Sequence, residues 1–166
     1  MKNDYKLDIT DENIQKEFDQ EGNYREDAGG VNKTAKKQID KLIKDVRNVK
    51  FKRIVNDLNS GDGIVSHYRS YTDQVVNFGT KAKSRGVDKT QKANTIPGFS
   101  QHHTGKAFDI FSTESDWWKT NSEVKEWVET NCGKYGFKVT YTEASQSGKL
   151  RIAEPWHLYY IGGEII

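Results

Sequence analysis

Ser100-Gln101-His102-His103-Thr104-Gly105-Lys106-Ala107-Phe108-Asp109 decides how this chain is read. Ten residues bring together two imidazoles, two hydroxyls, a glycine and a carboxylate. Far along the chain, Glu154-Pro155-Trp156-His157 adds a third imidazole and a second carboxylate. A catalytic metal site needs a few nitrogen or oxygen ligands from separate segments, one further carboxylate as base, and an open position for water. Both stretches together contain that set.

His102 and Asp109 stand seven positions apart, with Gly105 between them. Two ligands on one helix face would be spaced i, i+4 instead. The wider spacing suits a ligand on a loop and a ligand on the strand after it, with Gly105 freeing the turn. His157 is the expected third ligand for Zn²⁺. Glu154 lies three residues before it, and on a regular strand the two would face opposite ways. Pro155 breaks that regularity, since it fixes its own φ and biases Glu154 towards an extended backbone. The kink brings both side chains towards one ion. Glu154 is then the expected general base and proton donor to a leaving amine, and Trp156 a wall or core anchor. His67 and His103 are read as structural or solvent-exposed, with His103 pointing away from His102 if the segment is extended.

Further out, the bulk properties set limits. A chain of 166 residues fits one domain with a polar extension at one end. With 34% hydrophobic residues it buries one ordinary core. Mean hydropathy is −0.89, and no apolar run is long enough to span a membrane. Cys132 is the sole cysteine, which excludes intrachain disulfides and cysteine-rich zinc clusters. A net charge of +2 and the lack of a recognition motif argue against nucleic-acid binding. Residues 33–53 carry nine Lys or Arg against two Asp and read as a solvated helix face. Met1-Lys2-Asn3-Asp4-Tyr5 lacks an apolar signal segment. The expected location is the periplasm or cell wall if an export signal has been removed, and the cytoplasm until lysis if the chain is phage-encoded.

Along the chain, residues 1–31 read as a polar, weakly structured extension, in which Thr10 or Asp11 caps a short helix carrying Ile14 and Phe18. Residues 32–166 read as the folded domain. Asn32 or Thr34 opens a helix with Ala35, Ile39, Leu42, Ile43 and Val46 at helical spacing. Phe51 to Leu58 shows a mixed pattern. Asn59 to Gly63 is a turn, and Ile64 to Arg69 a strand. Thr72 caps a helix holding Val75, Val76, Phe78 and Ala82, ended by Gly86. Residues 87–99 are a polar loop, and Ala107 to Phe111 a short strand. Ser122 caps a helix with Val124, Trp127, Val128 and Tyr135, followed by Gly136. Phe137 to Thr142 and His157 to Ile161 are strands joined by a Ser145-to-Gly148 turn. The fold class is α+β, a single domain with helices packed on a mostly antiparallel sheet.

The pattern Ser100-x-His102-x-x-Gly105-x-Ala107-x-Asp109 with Glu154-x-Trp156-His157 resembles the VanY-type zinc D-alanyl-D-alanine carboxypeptidases. These belong to the LAS peptidases, which share a fold with the hedgehog signalling domain. Pro97-Gly98, Tyr68-Arg69-Ser70-Tyr71-x-x-Gln74 and Lys134-Tyr135-Gly136-Phe137 are similar too, so the resemblance runs from about Gly63 to Gly162. It implies zinc on His102, Asp109 and His157, with Glu154 as base. Arg69 is implied to hold the scissile carbonyl and its oxyanion, and Gln74 and Ser100 to line the substrate site. The chain departs from the family at His67, where glycine is usual, and at Leu158-Tyr159, where an arginine often follows.

The expected function is hydrolysis of the terminal D-Ala-D-Ala bond of peptidoglycan stem peptides. L,D-carboxypeptidase or phage-type endopeptidase activity on the same stem is the nearest alternative. A non-catalytic binding module with a structural metal is the other, although such a site needs neither Glu154 nor Arg69. Oligomeric state is not legible.

Overall fold

The computed structural model of the chain describes residues 25–48, 51, 61–91, 93–142 and 152–162. Among the expectations above, the Thr10/Asp11 helix, the pattern beyond Phe51 and the Ser145-to-Gly148 turn lie outside them.

Helix α1, Lys33–Asn48, buries Ala35, Ile39, Leu42, Ile43 and Val46, the five apolar positions of its stripe. Its first turn is closed by Asn32, whose Oδ1 accepts the Ala35 N–H at 2.9 Å. The lysines lie on the solvent side, where Lys36 pairs with Asp40 at 2.7 Å.

Four short strands form one antiparallel sheet in the order β1-β2-β4-β3. They are β1 Ile64–Ser66, β2 Ala107–Ile110, β3 Phe137–Val139 and β4 His157–Tyr160. Side chains alternate between the faces of a strand, and this alternation sorts core from site. Phe108, Ile110, Leu158 and Phe137 join α1, Val124, Val128 and Trp118 in one buried cluster. Asp109 and His157 take the opposite parity, and the β2–β4 register sets them directly across from each other. All four β2 residues are buried, so the Asp109 carboxylate lies deep in the fold.

Helix α2, Tyr71–Arg85, begins at Ser70 rather than Thr72, with the Ser70 Oγ accepting the Asp73 N–H at 3.0 Å. Gly86 ends it with φ 84° and donates to Ala82 C=O. Phe78 and Ala82 bury against Ile96 and Phe99 in a second, smaller cluster. Val76 instead faces solvent.

Residues 87–99 are not all loop: α3 occupies Val87–Gln91. A short helix α4, Ser115–Thr120, precedes α5, Ser122–Asn131, and places Asn121 rather than Ser122 at the α5 N-cap. A 3₁₀ turn, Cys132–Tyr135, follows and stops at Gly136 with φ 81°.

All four strands end earlier than their apolar patterns suggest. β2 stops because Phe111 adopts φ 63°. β1 stops because the chain after Ser66 turns to meet the His102 loop, where Arg69 N–H donates to His102 C=O at 3.2 Å. β3 ends at Val139 and β4 at Tyr160, short of Thr142 and Ile161.

Candidate metal centre and active-site cleft

His102 sits in a 3₁₀ turn, Gln101–Thr104, rather than in extended chain. Ser100 opens the turn, its Oγ accepting the His102 N–H at 3.2 Å. Gly105 closes it at φ 69°. A side chain at Gly105 would be strained by that φ, and its Cβ would also fall 2.1 Å from the Gly30 carbonyl oxygen. The lead-in to α1 presses against this turn through backbone bonds and through the Arg25 guanidinium, whose Nη1 donates to Phe99 C=O at 2.8 Å. Arg25 N–H donates to Gly98 C=O at 2.6 Å, Ala28 N–H to His103 C=O at 2.8 Å, and Asn32 N–H to Gly105 C=O at 2.9 Å.

The structure brings the three expected ligands together. One donor atom from each of His102, Asp109 and His157 lies within 4.8 Å of the others, and all three residues are buried. Their hydrogen bonds assign the imidazole nitrogens. His102 Nδ1 lies 2.6 Å from the His67 carbonyl, which can only accept, so Nδ1 carries the proton and Nε2 a lone pair. His157 Nε2 lies 2.8 Å from Gln101 Oε1, again an acceptor, which leaves the lone pair on Nδ1.

Both lone pairs point at one carboxylate. His102 Nε2 is 3.3 Å from Asp109 Oδ2, and His157 Nδ1 is 3.0 Å from Asp109 Oδ1. Acceptors do not face acceptors at this distance without a cation to share. In a tetrahedral zinc site with bonds of about 2.0–2.1 Å, ligand atoms lie roughly 3.3 Å apart. The donor set and its spacing fit zinc. Burial pushes the Asp109 carboxyl pKa up, and only positive charge beside it, on protonated His102 and His157 imidazoles or on a bound cation, outweighs burial and holds that pKa below the usual carboxylate range.

Glu154 reaches the same point from the turn that leads into β4. Residues 154–157 form a turn in which His157 N–H donates to Glu154 C=O at 3.1 Å. This is the departure from strand regularity that Pro155 implies. It puts the Glu154 carboxylate 3.9 Å from His157 Nδ1, and Glu154 is 8% exposed. Trp156 is buried in the main cluster and also lines the cleft.

These groups open into a cleft of about 450 Å³ that also takes in Arg69, Gln74 and Ser100. The Arg69 guanidinium is tethered twice, by Gln74 Oε1 at 2.7 Å and Ser66 Oγ at 3.1 Å. Gln74 is 1% exposed and donates through Nε2 to Thr95 C=O at 2.5 Å, so its amide braces Arg69 as well as lining the wall.

His103 is structural. Fully buried, it donates from Nδ1 to Arg69 C=O at 2.9 Å and accepts the Gly98 N–H on Nε2 at 3.0 Å. It pins the Arg69 segment to the 97–98 turn. Burial lowers its pKa, which suits the neutral form these bonds require. His67 is exposed and contributes only its carbonyl.

Sequence reading missed Gln101. Its Oε1 accepts from His157 Nε2 and, at 2.8 Å, from Thr140 Oγ1. Such a partner orients a ligand and fixes its tautomer. No sequence signal marks it, because Thr140 and His157 become its neighbours only through the fold.

Comparison with known proteins agrees with this geometry. The family profile described as D-alanyl-D-alanine carboxypeptidase, VanY, matches residues 29–163. The putative carboxypeptidase YodJ of Bacillus subtilis is 38% identical over 103 residues, covering 59% of this chain and 37% of YodJ. The chain spans about a third of the length of the curated relatives it matches. Among solved structures, the LdcB LD-carboxypeptidase superposes with a TM-score of 0.64 at 31% identity, over 80% of this chain and 67% of that one. A mutant of the vancomycin-resistance D,D-pentapeptidase VanY, in complex with Zn(II), superposes with a TM-score of 0.56 over 84% of this chain and 79% of that one. At 22% identity it shares the fold. With four-fifths of its length matched and the ligand set assembled, the chain belongs to the D-alanyl-D-alanine carboxypeptidase (VanY) family.

Proposed function

We propose that this chain is a zinc-dependent D-alanyl-D-alanine carboxypeptidase that hydrolyses the terminal peptide bond of peptidoglycan stem peptides. One observation carries the reading: two imidazole lone pairs and the Asp109 carboxylate converge on one point, with the Glu154 carboxylate beside it. A structural metal would need no such neighbour. Family membership supplies the substrate class.

His102 through Nε2, Asp109, and His157 through Nδ1 would hold the ion. Zinc bound there would supply Lewis acidity for a carbonyl oxygen and a water. Glu154 takes a proton from the attacking water as general base and returns it to the departing amine. Arg69, held in place by Gln74 and Ser66, faces the carbonyl oxygen and stabilises the charge that develops on it. Ser100 and Trp156 line the cleft around the substrate. No helix among the described residues is long and apolar enough to cross a membrane. Action on that substrate would put the chain outside the cell membrane, at the wall.

A second reading has specific support. The LdcB LD-carboxypeptidase is similar at 31% identity, which favours removal of D-alanine from a tetrapeptide stem. Incubating the zinc-loaded protein with pentapeptide and tetrapeptide stems, followed by mass spectrometry, separates the two. Loss of one D-alanine from the pentapeptide alone is expected. Loss from the tetrapeptide alone selects the L,D reading, and release from neither refutes both.

A further inference from the structure

The zinc ligands, Glu154 and Arg69 occupy one end of the cleft. Its other end is built on α2. Gln74, Asn77, Lys81 and Arg85 recur at intervals of three and four residues and all line the cleft, so one stripe of the helix faces it. The neighbouring stripe, Phe78 and Ala82, is locked into the small cluster with Ile96 and Phe99. The orientation of α2 is therefore set by packing. Across from it, Asn94 Oδ1 accepts from Lys81 Nζ at 2.6 Å and holds that side chain half-buried.

Three cations thus line one wall: Arg69, Lys81 and Arg85. Among the described residues, no carboxylate lies within ion-pair distance of Lys81 or Arg85. Burial pulls the Lys81 pKa below the usual lysine value, and the Arg69 and Arg85 guanidiniums pull it further, with Glu154 opposing. Crowding like charges in a half-buried cleft costs folding energy that an arriving anion would offset.

We infer that Lys81, with Arg85 beside it, forms an anion subsite that receives a carboxylate of the substrate peptide. The inference rests on the peptidase reading and adds a specificity determinant to it. Seven residues separate Gln74, which braces Arg69, from Lys81, or about 10 Å along the helix axis. An extended peptide advances about 3.3–3.6 Å per residue. A carboxylate one to three residues from the scissile bond therefore falls within reach of the lysine side chain. Two sources meet that condition: the terminal carboxylate of the departing residue, and a carboxylate on the retained stem.

The test uses the full chain carrying Glu154→Gln, loaded with zinc so that nothing turns over. Calorimetry measures its binding of a stem pentapeptide in three forms: all carboxylates free, the terminal one amidated, or the internal ones amidated. With Lys81 present, one of the two amidations should weaken binding about tenfold, and which one identifies the source. Adding Lys81→Met should weaken the free-acid peptide by a similar factor and abolish the preference, whereas Lys81→Arg should keep it. Unchanged preferences in Lys81→Met, a uniform loss for all three peptides, or no measurable binding would each overturn the subsite. The wild-type protein assayed alongside separates the two ideas. If it releases no amino acid while the preferences hold, the hydrolase reading fails alone. Release without a Lys81-dependent preference removes the subsite alone.

Discussion

At the metal end of the cleft, protein groups interlock. His102 is held by the His67 carbonyl, His157 by Gln101, Gln101 by Thr140, and Arg69 by Gln74 and Ser66. At the α2 end, Lys81 has one amide contact, and Arg85 has a long one of 3.4 Å to Thr90 Oγ1. The first arrangement is set before substrate arrives, as electrostatic catalysis requires, because groups that must reorient during the reaction lose most of their effect. The second leaves cations room to move, which suits charge recognition, where attraction tolerates small shifts in position. One cleft thus combines rigid chemistry with adaptable binding.

Substitutions probe this contrast in order of expected effect. Glu154→Gln keeps the shape of the base and removes its basicity. Turnover should fall roughly 10²- to 10⁴-fold while zinc content stays at the wild-type level, as read by initial rates and metal analysis. Loss of zinc would make Glu154 a ligand instead. Arg69→Met removes the tethered guanidinium at the metal end. A fall of about 10²- to 10³-fold in turnover, again with zinc retained, is expected if it stabilises developing charge. A change confined to KM would move Arg69 into the recognition half of the cleft.

Gln101→Leu breaks the interlock without touching a ligand. Zinc affinity, measured by competition with a chelator, should drop about 10- to 100-fold. Gln101→Glu keeps an acceptor for both His157 and Thr140 and should retain most of the affinity. Equal affinity in the leucine variant would mean that the rigidity of this end comes from packing alone.

Tyr135, outside the cleft, supplies the baseline. Burial and its hydrogen bond to Asp45 push its pKa up to about 12. The folded state therefore keeps the phenol protonated where the unfolded chain, with a pKa near 10, begins to lose the proton. The stability this contributes is complete below about pH 10 and declines as pH rises towards about 12. The difference in Tm between wild type and Tyr135→Phe should be constant below that window and shrink across it. Zinc affinity should not change in the variant.

The parts that could be read from sequence share a physical cause. His102, Asp109 and His157 sit in short local patterns whose residue types admit few other uses together. The α1 stripe is a strong 3.6-residue period, and all five of its expected positions are buried. Helices α3 and α4 escaped notice because Val87–Gln91 and Ser115–Thr120 are little more than one turn each and show no periodicity. Strand ends were overrun because apolar residues continue past the last ladder bond, as at Phe111, where the backbone reverses. Gln101 and Lys81 were invisible for another reason. Their significance depends on Thr140, His157 and Asn94, partners that only the tertiary fold supplies.

Three contacts between residues 25–32 and the ligand turn are backbone to backbone, beside the one made by the Arg25 guanidinium, and the glycine at 105 admits the approach. Such contacts are blind to side-chain identity but not to spacing. Where the bond is made by backbone alone, as at Ala28, relatives are free to diverge in composition, whereas Arg25, Asp27 and Asn32 also bond through their side chains; inserting or deleting one residue would put every bond out of step. Across descendants of this chain, the constraint should be visible as conserved length within drifting letters.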